Sequence, residues 1–255
     1  MWNPEQYLKF SSERDRPFFD LLAHVSLQGV QRVADLGCGD GHLTAYLLER
    51  FPGASVVGVD SSSEMLAHSS RYASEHLEFV QADLGAWQPL ERLDLIVSNA
   101  ALQWLDNHEA LIPTLASSLS ERGVFAFQIP ANFDAPSHTL LRQLTSSERW
   151  RGFLPPNLDR RPNLLTLERY IEILTALGFA VDAWETQYQH ILPEQNAVLE
   201  WAKGSALRPV LAALPLELES AFLDEYAELL RGAYPLRPYG TLLPFRRVFV
   251  VANRL

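Results

Sequence analysis

The chain predicts an α/β fold built on a doubly wound parallel sheet, and two observations carry that reading. The first is one contiguous unit: apolar Val30, Val33 and Leu36 run into Gly37-Cys38-Gly39-Asp40-Gly41, a helical pattern covers residues 42–51, and a second apolar run ends on Asp60. Strand, glycine loop, helix and strand in that order open doubly wound sheets. The second is a further pair of strand patterns, residues 77–82 ending in the acid Asp83 and residues 93–98 ending at Asn99. The latter is apolar throughout except for Asp94 near its start and Ser98 at its end, the pattern of a parallel strand covered on both faces.

Within the opening unit, glycine frees the backbone for a tight turn and for close approach of a ligand that a Cβ would block. Asp60 follows Gly39 by 21 positions and closes the next strand, where a carboxylate accepts from a ribose diol. A dinucleotide loop, G-x-G-x-x-G, would need glycine at position 42, and this chain has His42. Asp35 and Asp40 add negative charge beside the loop, which disfavours a diphosphate and suits a cationic sulfonium carrying an α-ammonium group. The pattern D-x-G-x-G-x-G resembles the first motif of S-adenosylmethionine-dependent methyltransferases; a dehydrogenase and a purely structural glycine turn are the alternatives. Cofactor contacts are expected at Asp35, Gly37, Cys38, Gly39, Asp60, Ser61, Met65, Asp83, Leu84 and Asn99.

Composition narrows the remaining classes. A chain of 255 residues, 47% hydrophobic and 20% charged, can hold one sizeable core with accessory elements. Its net charge of −10 argues against nucleic acid as a partner, and an acidic small molecule would need a local arginine cluster held against the global field. Cys38 is the one cysteine, so an intramolecular disulfide is excluded and a reducing compartment expected. No apolar run has the length of a membrane span and residues 1–10 lack a signal-peptide apolar region, so the expectation is a cytoplasmic chain without a membrane partner. The seven histidines show no metal-ligand spacing with Cys or carboxylates, and no metal is expected.

The elements then follow in order. Asn3-Pro4 starts a helix, with Tyr7, Phe10 and Arg14 on one face; they form either a cover for the sheet or a flap whose Arg14 reaches an anion. A second helix is expected over 16–24. Ser61-Ser62-Ser63-Glu64 caps a helix to about residue 74, whose Met65 lies near enough to the strand end to touch an adenine. Asp83 either accepts from an adenine amine or caps a turn. Asn99-Ala100-Ala101-Leu102-Gln103-Trp104 should lie beside the glycine loop, where Asn99 meets cofactor or substrate and Trp104 either contacts substrate or packs a helix. A helix over 106–119 and a strand over 123–129 follow. Residues 131–163 lack clean periodicity and read as an insertion on the ligand side. A helix closed by Gly178, a strand over 179–190, helical patterns at 194–203 and 217–231 and a strand over 245–252 complete the chain. The expected organisation is a single domain with a core of about 25–130, 164–190 and 244–255, cap insertions at about 131–163 and 191–243, and a flap over 1–24. Substrate choice should reside in the cap.

Residues 2–17 read W-N-P-x-x-Y-x-x-F-x-x-E-R-x-R-P, and this stretch resembles the N-terminus of bacterial trans-aconitate 2-methyltransferases. So do VADLGCGDG, GVDSS, FVQAD, NAALQWL, LRP at 207–209 and the terminal FRRVFVVA. The similarity runs essentially end to end and is loosest over 131–163. It implies a Rossmann-like, seven-stranded class I methyltransferase sheet with helical cap insertions. The implied activity is methyl transfer from S-adenosylmethionine to one carboxylate of trans-aconitate, giving a monomethyl ester and S-adenosylhomocysteine. A carboxylate nucleophile is already ionised at neutral pH, so no catalytic base is expected. A substrate with several carboxylates needs fixed cations, and arginine suits planar carboxylates. Substrate contacts are expected at Tyr7, Arg14, Gln103, Trp104, Tyr188, His190, Arg208 and Arg247, with Arg246, Arg160 and Arg161 behind them. Arg208 stands out because its neighbours, Ala206-Leu207 and Pro209-Val210-Leu211, are apolar. Competing readings are a malonyl-carrier carboxyl methyltransferase and a non-catalytic adenosyl-ligand-binding protein, and a monomer or weak homo-oligomer is expected.

Overall fold

The structure, a computed structural model, describes residues 11–155 and 164–255; Tyr7, Phe10, Arg160 and Arg161 lie outside the described residues. The chain divides into two compact units. One is built from Arg14–Pro130, Pro162–Thr186 and Arg247–Leu255, the other from Met1–Glu13, Ala131–Arg161 and Gln187–Arg246, each as far as the described residues go.

The described chain begins with α1 (Ser11–Ala23), which enters the first unit at Arg14, and there alternates β1 (Arg32–Leu36), α2 (His42–Arg50), β2 (Ser55–Asp60), α3 (Ser63–Ser69), β3 (Leu77–Gln81), β4 (Leu93–Asn99), α4 (His108–Ser117) and β5 (Leu119–Pro130). After α5 (Pro136–Thr145) of the second unit it returns through α6 (Leu167–Ala176) and β6 (Phe179–Leu192). Then come α7 (Ala197–Lys203), α8 (Arg208–Ala213), α9 (Leu216–Ala233), β7 (Leu236–Arg237) and finally β8 (Gly240–Arg254). Strands pair in the order β3-β2-β1-β4-β5-β8-β6, with β7 beside β8. β1 through β5 run parallel, while β8 joins β5 antiparallel from Val124↔Asn253 to Pro130↔Arg247. The chain works outward from β1 to β3 and then crosses back to β4 on the other side of β1. That reversal places the loops leaving β1 and β4 together at the carboxyl edge, where open sheets take their ligands.

Apolar burial explains the layers. Residues 33–36 of β1 are all buried, as are Leu95, Ile96 and Val97 of β4, which reads continuous because helices cover both faces. α1 buries Phe18, Leu21 and Leu22, and the Phe18 ring meets Tyr46 of α2 edge-on with centroids 6.4 Å apart. α6 starts at Thr166, whose side chain accepts from the Arg169 N–H, buries Tyr170, Ile173 and Leu174, and ends ahead of Gly178 at φ +84°. In the second unit Trp150, Phe222 and Tyr226 are fully buried, and the Trp150 and Phe222 rings pack edge to face at 5.1 Å. There the Tyr226 hydroxyl donates to the Ser137 carbonyl at 2.6 Å, and the Ser137 N–H donates to the Tyr234 hydroxyl at 3.0 Å.

The structure departs from the sequence expectation at several elements. The sheet has one strand beyond the seven expected, the two-residue β7 paired into the start of β8. α1 runs through Arg16 with Pro17 inside it, so no helix boundary falls there. α3 stops at Ser69 because Ser70–Tyr72 tighten into a 3₁₀ turn and a bridge forms between Ser74 and Leu77. α5 lies where no periodicity was expected: its buried face mixes Ser137 and Thr145 with Leu141 and Leu144, which blurs the apolar repeat.

Candidate active site

The glycine loop is held shut against the end of β2. Gly37 adopts φ +81°, and a Cβ there would fall 2.0 Å from the Ala101 Cβ, so the loops after β1 and β4 interlock. The N–H groups of Gly37 and Cys38 donate to the Val59 carbonyl at 2.7 and 3.1 Å. Gly39 N–H donates to Asp60 Oδ2 at 2.9 Å, Gly41 N–H to the Cys38 carbonyl at 3.1 Å and His42 N–H to Asp40 Oδ1 at 3.3 Å. Five N–H groups of the loop, those of Gly37, Cys38, Gly39, Gly41 and His42, are therefore spent internally, unlike those of a loop that cradles phosphates with them. Asp60 Oδ1 accepts from Ser62 N–H at 2.9 Å, so both of its oxygens are anchored by backbone. Met65 Cε lies 2.9 Å, and Leu84 Cδ1 3.8 Å, from where Cβ atoms on Gly39 and Gly37 would stand. Gly37, Gly39, Asp60, Met65 and Leu84 are thus brought together at the loop. Ser61 is exposed and its carbonyl accepts from Gln81 Nε2; Asp83 is exposed and its Oδ1 accepts from Gly85 N–H at 2.9 Å, a turn-capping contact.

Charge beneath the loop is mostly negative. Asp35 is buried and accepts from Thr44 Oγ1 at 2.6 Å; burial pushes its pKa up to about 6, against the Thr44 hydrogen bond and with help from Asp60. Burial, reinforced by Asp35 and Asp60, drives the Cys38 thiol far above its ordinary range, so Cys38 is no nucleophile. Two cations answer these acids, His42 and Arg71. His42 meets Asp15 of α1 through Nε2 at 3.0 Å and Asp40 through Nδ1. Hydrogen bonds that the ring donates to Asp15 and Asp40 raise its pKa to about 10 in spite of burial. Burial alone would raise Asp40, but the contacts with His42 and the Arg71 guanidinium at 3.4 Å hold it below the usual range.

At the end of β4, Ser98 Oγ donates to the Leu36 carbonyl at 2.8 Å, fixing β4 to β1. Asn99 is half-buried, and its Oδ1 accepts from Gln128 Nε2 at 2.5 Å. Gln128 Oε1 in turn accepts from Arg247 Nη1 at 2.9 Å. Ala100 takes φ +55°, uncommon for a residue with a Cβ. Gln103 Nε2 donates to the Ala100 carbonyl at 2.6 Å, while its Oε1 is buried with no hydrogen-bond partner among the described residues. Trp104 is 65% exposed. Arg14 is buried on α1. In the second unit, Tyr188 and His190 are buried in an aromatic stack, their rings 5.9 Å apart and His190 5.1 Å from Trp201, while Arg208 is exposed at the start of α8.

Sequence reasoning missed Gln128, Asp15 and His108. Gln128 carried a signal, since it is the one polar residue in the run Val124-Phe125-Ala126-Phe127-Gln128-Ile129 and a lone buried amide implies an internal partner. Buried His108 donates through Nε2 to the Leu102 carbonyl at 2.9 Å and accepts at Nδ1 from the Tyr170 hydroxyl at 2.6 Å, bracing the turn that carries Gln103 and Trp104. Burial lowers its pKa, keeping the ring neutral. Among the described residues no cluster of three or more His, Cys, Asp or Glu is placed to hold a metal ion, and no helix is long and apolar enough to cross a membrane.

Comparison with known proteins agrees with this geometry. A family described as "Methyltransferase domain" matches residues 10–183. The trans-aconitate 2-methyltransferase of Streptomyces avermitilis is 46% identical over 99% of this chain and 97% of its own length. Those of Streptomyces coelicolor and Escherichia coli are 47% and 43% identical, over 99% and 100% of this chain and 86% and 98% of their own. Among solved structures, the YcgJ protein of Bacillus subtilis superposes with a TM-score of 0.60 at 13% identity, covering 94% of this chain and 98% of that one. A methyltransferase from Geobacter sulfurreducens gives 0.54 at 18% identity, covering 99% and 92%. The two solved structures establish the fold alone. Full-length identity to three relatives from two bacterial groups, together with the domain match, settles descent: the chain belongs to the trans-aconitate 2-methyltransferase family.

Proposed function

We propose that the chain transfers a methyl group from S-adenosylmethionine to a carboxylate of trans-aconitate, or of a closely related small polycarboxylate, leaving a monomethyl ester and S-adenosylhomocysteine. One observation carries the choice of cofactor: a glycine loop that spends five of its N–H groups internally and is lined by Asp35, Asp40 and Asp60. Such a site offers little to a polyphosphate and favours a cation. Asp60 would hold the ribose diol, since two carboxylate oxygens that each take one backbone N–H still have lone pairs to offer. Met65 and Leu84 would flank the adenine, with Asp83 at its amine. When bound, the sulfonium supplies an electrophilic methyl group and a neutral leaving group. The acceptor carboxylate, with an ordinary pKa near 4, is already ionised, so the chain has no proton to remove and needs only to desolvate and align it. The name shared by relatives of 43% identity and above supports trans-aconitate as that acceptor.

We infer that the second unit selects the acceptor, with exposed Arg208 as its first candidate cation and Tyr188 and His190 as further candidates. The remaining proposals are a cytoplasmic protein, monomeric or weakly self-associating, that takes a small molecule and not nucleic acid; the net charge of −10 supports the last point. The test offers trans-aconitate, cis-aconitate, isocitrate and a malonyl-loaded carrier in parallel with labelled methyl donor. Base-labile labelling of trans-aconitate is the expected result. Labelling of the carrier alone would overturn the acceptor, and cofactor binding without transfer to any of the four would overturn the enzymatic reading.

A further inference from the structure

Arg247, Gln128 and Asn99 lie on three neighbouring strands, β8, β5 and β4, and touch in sequence: Arg247 Nη1 donates to Gln128 Oε1 at 2.9 Å and Gln128 Nε2 donates to Asn99 Oδ1 at 2.5 Å. Gln128 is fully buried and Arg247 is 3% exposed. The order of donors and acceptors in this line is dictated by its first member. A guanidinium has N–H donors and no acceptor. The group of Gln128 that faces it is therefore the oxygen, which turns the Gln128 amine towards Asn99. Asn99 must answer an amine with its own oxygen, which turns its Nδ2 amine away from the relay. A buried cation thus fixes the flip of two amides that could otherwise sit either way round, and it polarises both in the same sense. Asn99 stands at the carboxyl end of β4, half-buried and ahead of the strained Ala100, in the loop that interlocks with Gly37 at Ala101.

We propose that the Arg247–Gln128 relay locks Asn99 as an N–H donor to the acceptor carboxylate, so that this end of the site is matched to an anionic oxygen nucleophile. The proposal rests on the methyl transfer argued above and adds the residue that receives the acceptor. Asn99 is the binding residue; Gln128 and Arg247 are positioning residues that never meet the substrate. An amine acceptor carries N–H groups of its own and would need the opposite face of Asn99, its oxygen. Arg247, expected from the sequence to reach the substrate, acts here through Gln128 instead.

Gln128→Glu separates this assignment from a structural one. The carboxylate it introduces still receives Arg247, now as an ion pair, but its second oxygen can only accept, so Asn99 must donate to it and present Oδ1 to the acceptor. Asn99→Asp makes the corresponding change at the binding residue itself and covers the case in which Gln128→Glu does not fold. In both variants, kcat/KM for trans-aconitate is expected to fall about 10- to 100-fold, the range for one hydrogen bond to an ionised group. Affinity for S-adenosylhomocysteine, measured by calorimetry, should stay within about threefold. Wild-type transfer accompanied by unchanged kcat/KM in the variants would overturn the relay alone. Parallel loss of cofactor affinity and melting temperature would also overturn it, in favour of a structural role. A wild-type chain that transfers to no carboxylate would overturn the relay together with the function it rests on.

Discussion

Raising the pH from 6.5 to 10 should remove the stability that the joint between α1 and the glycine loop contributes, because the unfolded chain gives up the His42 proton near 6.5 while the folded chain keeps it to about 10. Its Nε2 meets Asp15 at 3.0 Å and its Nδ1 meets Asp40, and the two hydrogen bonds lift its pKa from an ordinary 6.5 to about 10. A group whose pKa is higher folded than unfolded stabilises the fold below the unfolded value, and that stabilisation disappears as pH climbs to the folded value. A rise of this size corresponds to at most about 5 kcal/mol at 1.36 kcal/mol per pKa step. The side chain is 30% exposed, with Asp15 at 23%, so solvent screening brings the expected contribution down to about 1–3 kcal/mol. Urea denaturation of the wild type and of His42→Asn at pH 6 and pH 9.5 isolates it. The wild type should lose about 1–3 kcal/mol more than the variant over that interval. Equal pH dependence in the two proteins would refute the clamp, since every other group titrating there is common to both.

Three further perturbations probe the same loop. Gly37→Ala combines a left-handed φ with a Cβ 2.0 Å from Ala101 Cβ and should cost about 3 kcal/mol or more in thermal unfolding; adding Ala101→Gly should recover the crowding part but not the backbone part. Asp60→Ala removes the acceptor of Gly39 and Ser62 N–H and should weaken S-adenosylhomocysteine about 10- to 100-fold by calorimetry; unchanged affinity would remove the ribose assignment. Asp35→Asn should stabilise the protein by up to about 3 kcal/mol at pH 8, because a buried carboxyl raised to about 6 costs stability progressively as pH rises from about 4 to 6. Melting curves at pH 4 and 8 check it: the gain should vanish at the lower pH, and a variant less stable at pH 8 would contradict the burial argument.

The core of the sheet was legible in the sequence because parallel strands buried on both faces write unbroken apolar runs, as Leu95-Ile96-Val97 does, and because glycine is forced where backbones nearly touch. α5 was illegible because Ser137 and Thr145 occupy its buried face, and α8 because six residues hold less than two turns of any repeat. The site divides in the same way. Asp60 and the glycines announce themselves by position along one unit. The pairing of Gln128 with Arg247 does not, because each takes its meaning from a neighbour 119 positions away, brought adjacent only when β8 pairs antiparallel with β5. His42 was noticed only as a missing glycine, and its partner Asp15 sits 27 residues earlier on a helix whose face is set by tertiary packing.

A loop whose amides are already bonded before any ligand arrives has an unusual kinetic consequence. Gly37, Cys38, Gly39, Gly41 and His42 all donate within the protein, so their hydrogens exchange with solvent only when these bonds open, the first three at the β1–β2 junction and the last two within the loop. Ligand capture then requires little further ordering of the main chain, and the entropy of fixing the turn is met during folding instead of at each turnover. Protection from exchange at these five positions should consequently be high in the empty protein and change little on saturation, with the larger changes confined to exposed neighbours such as Ser61 and Asp83.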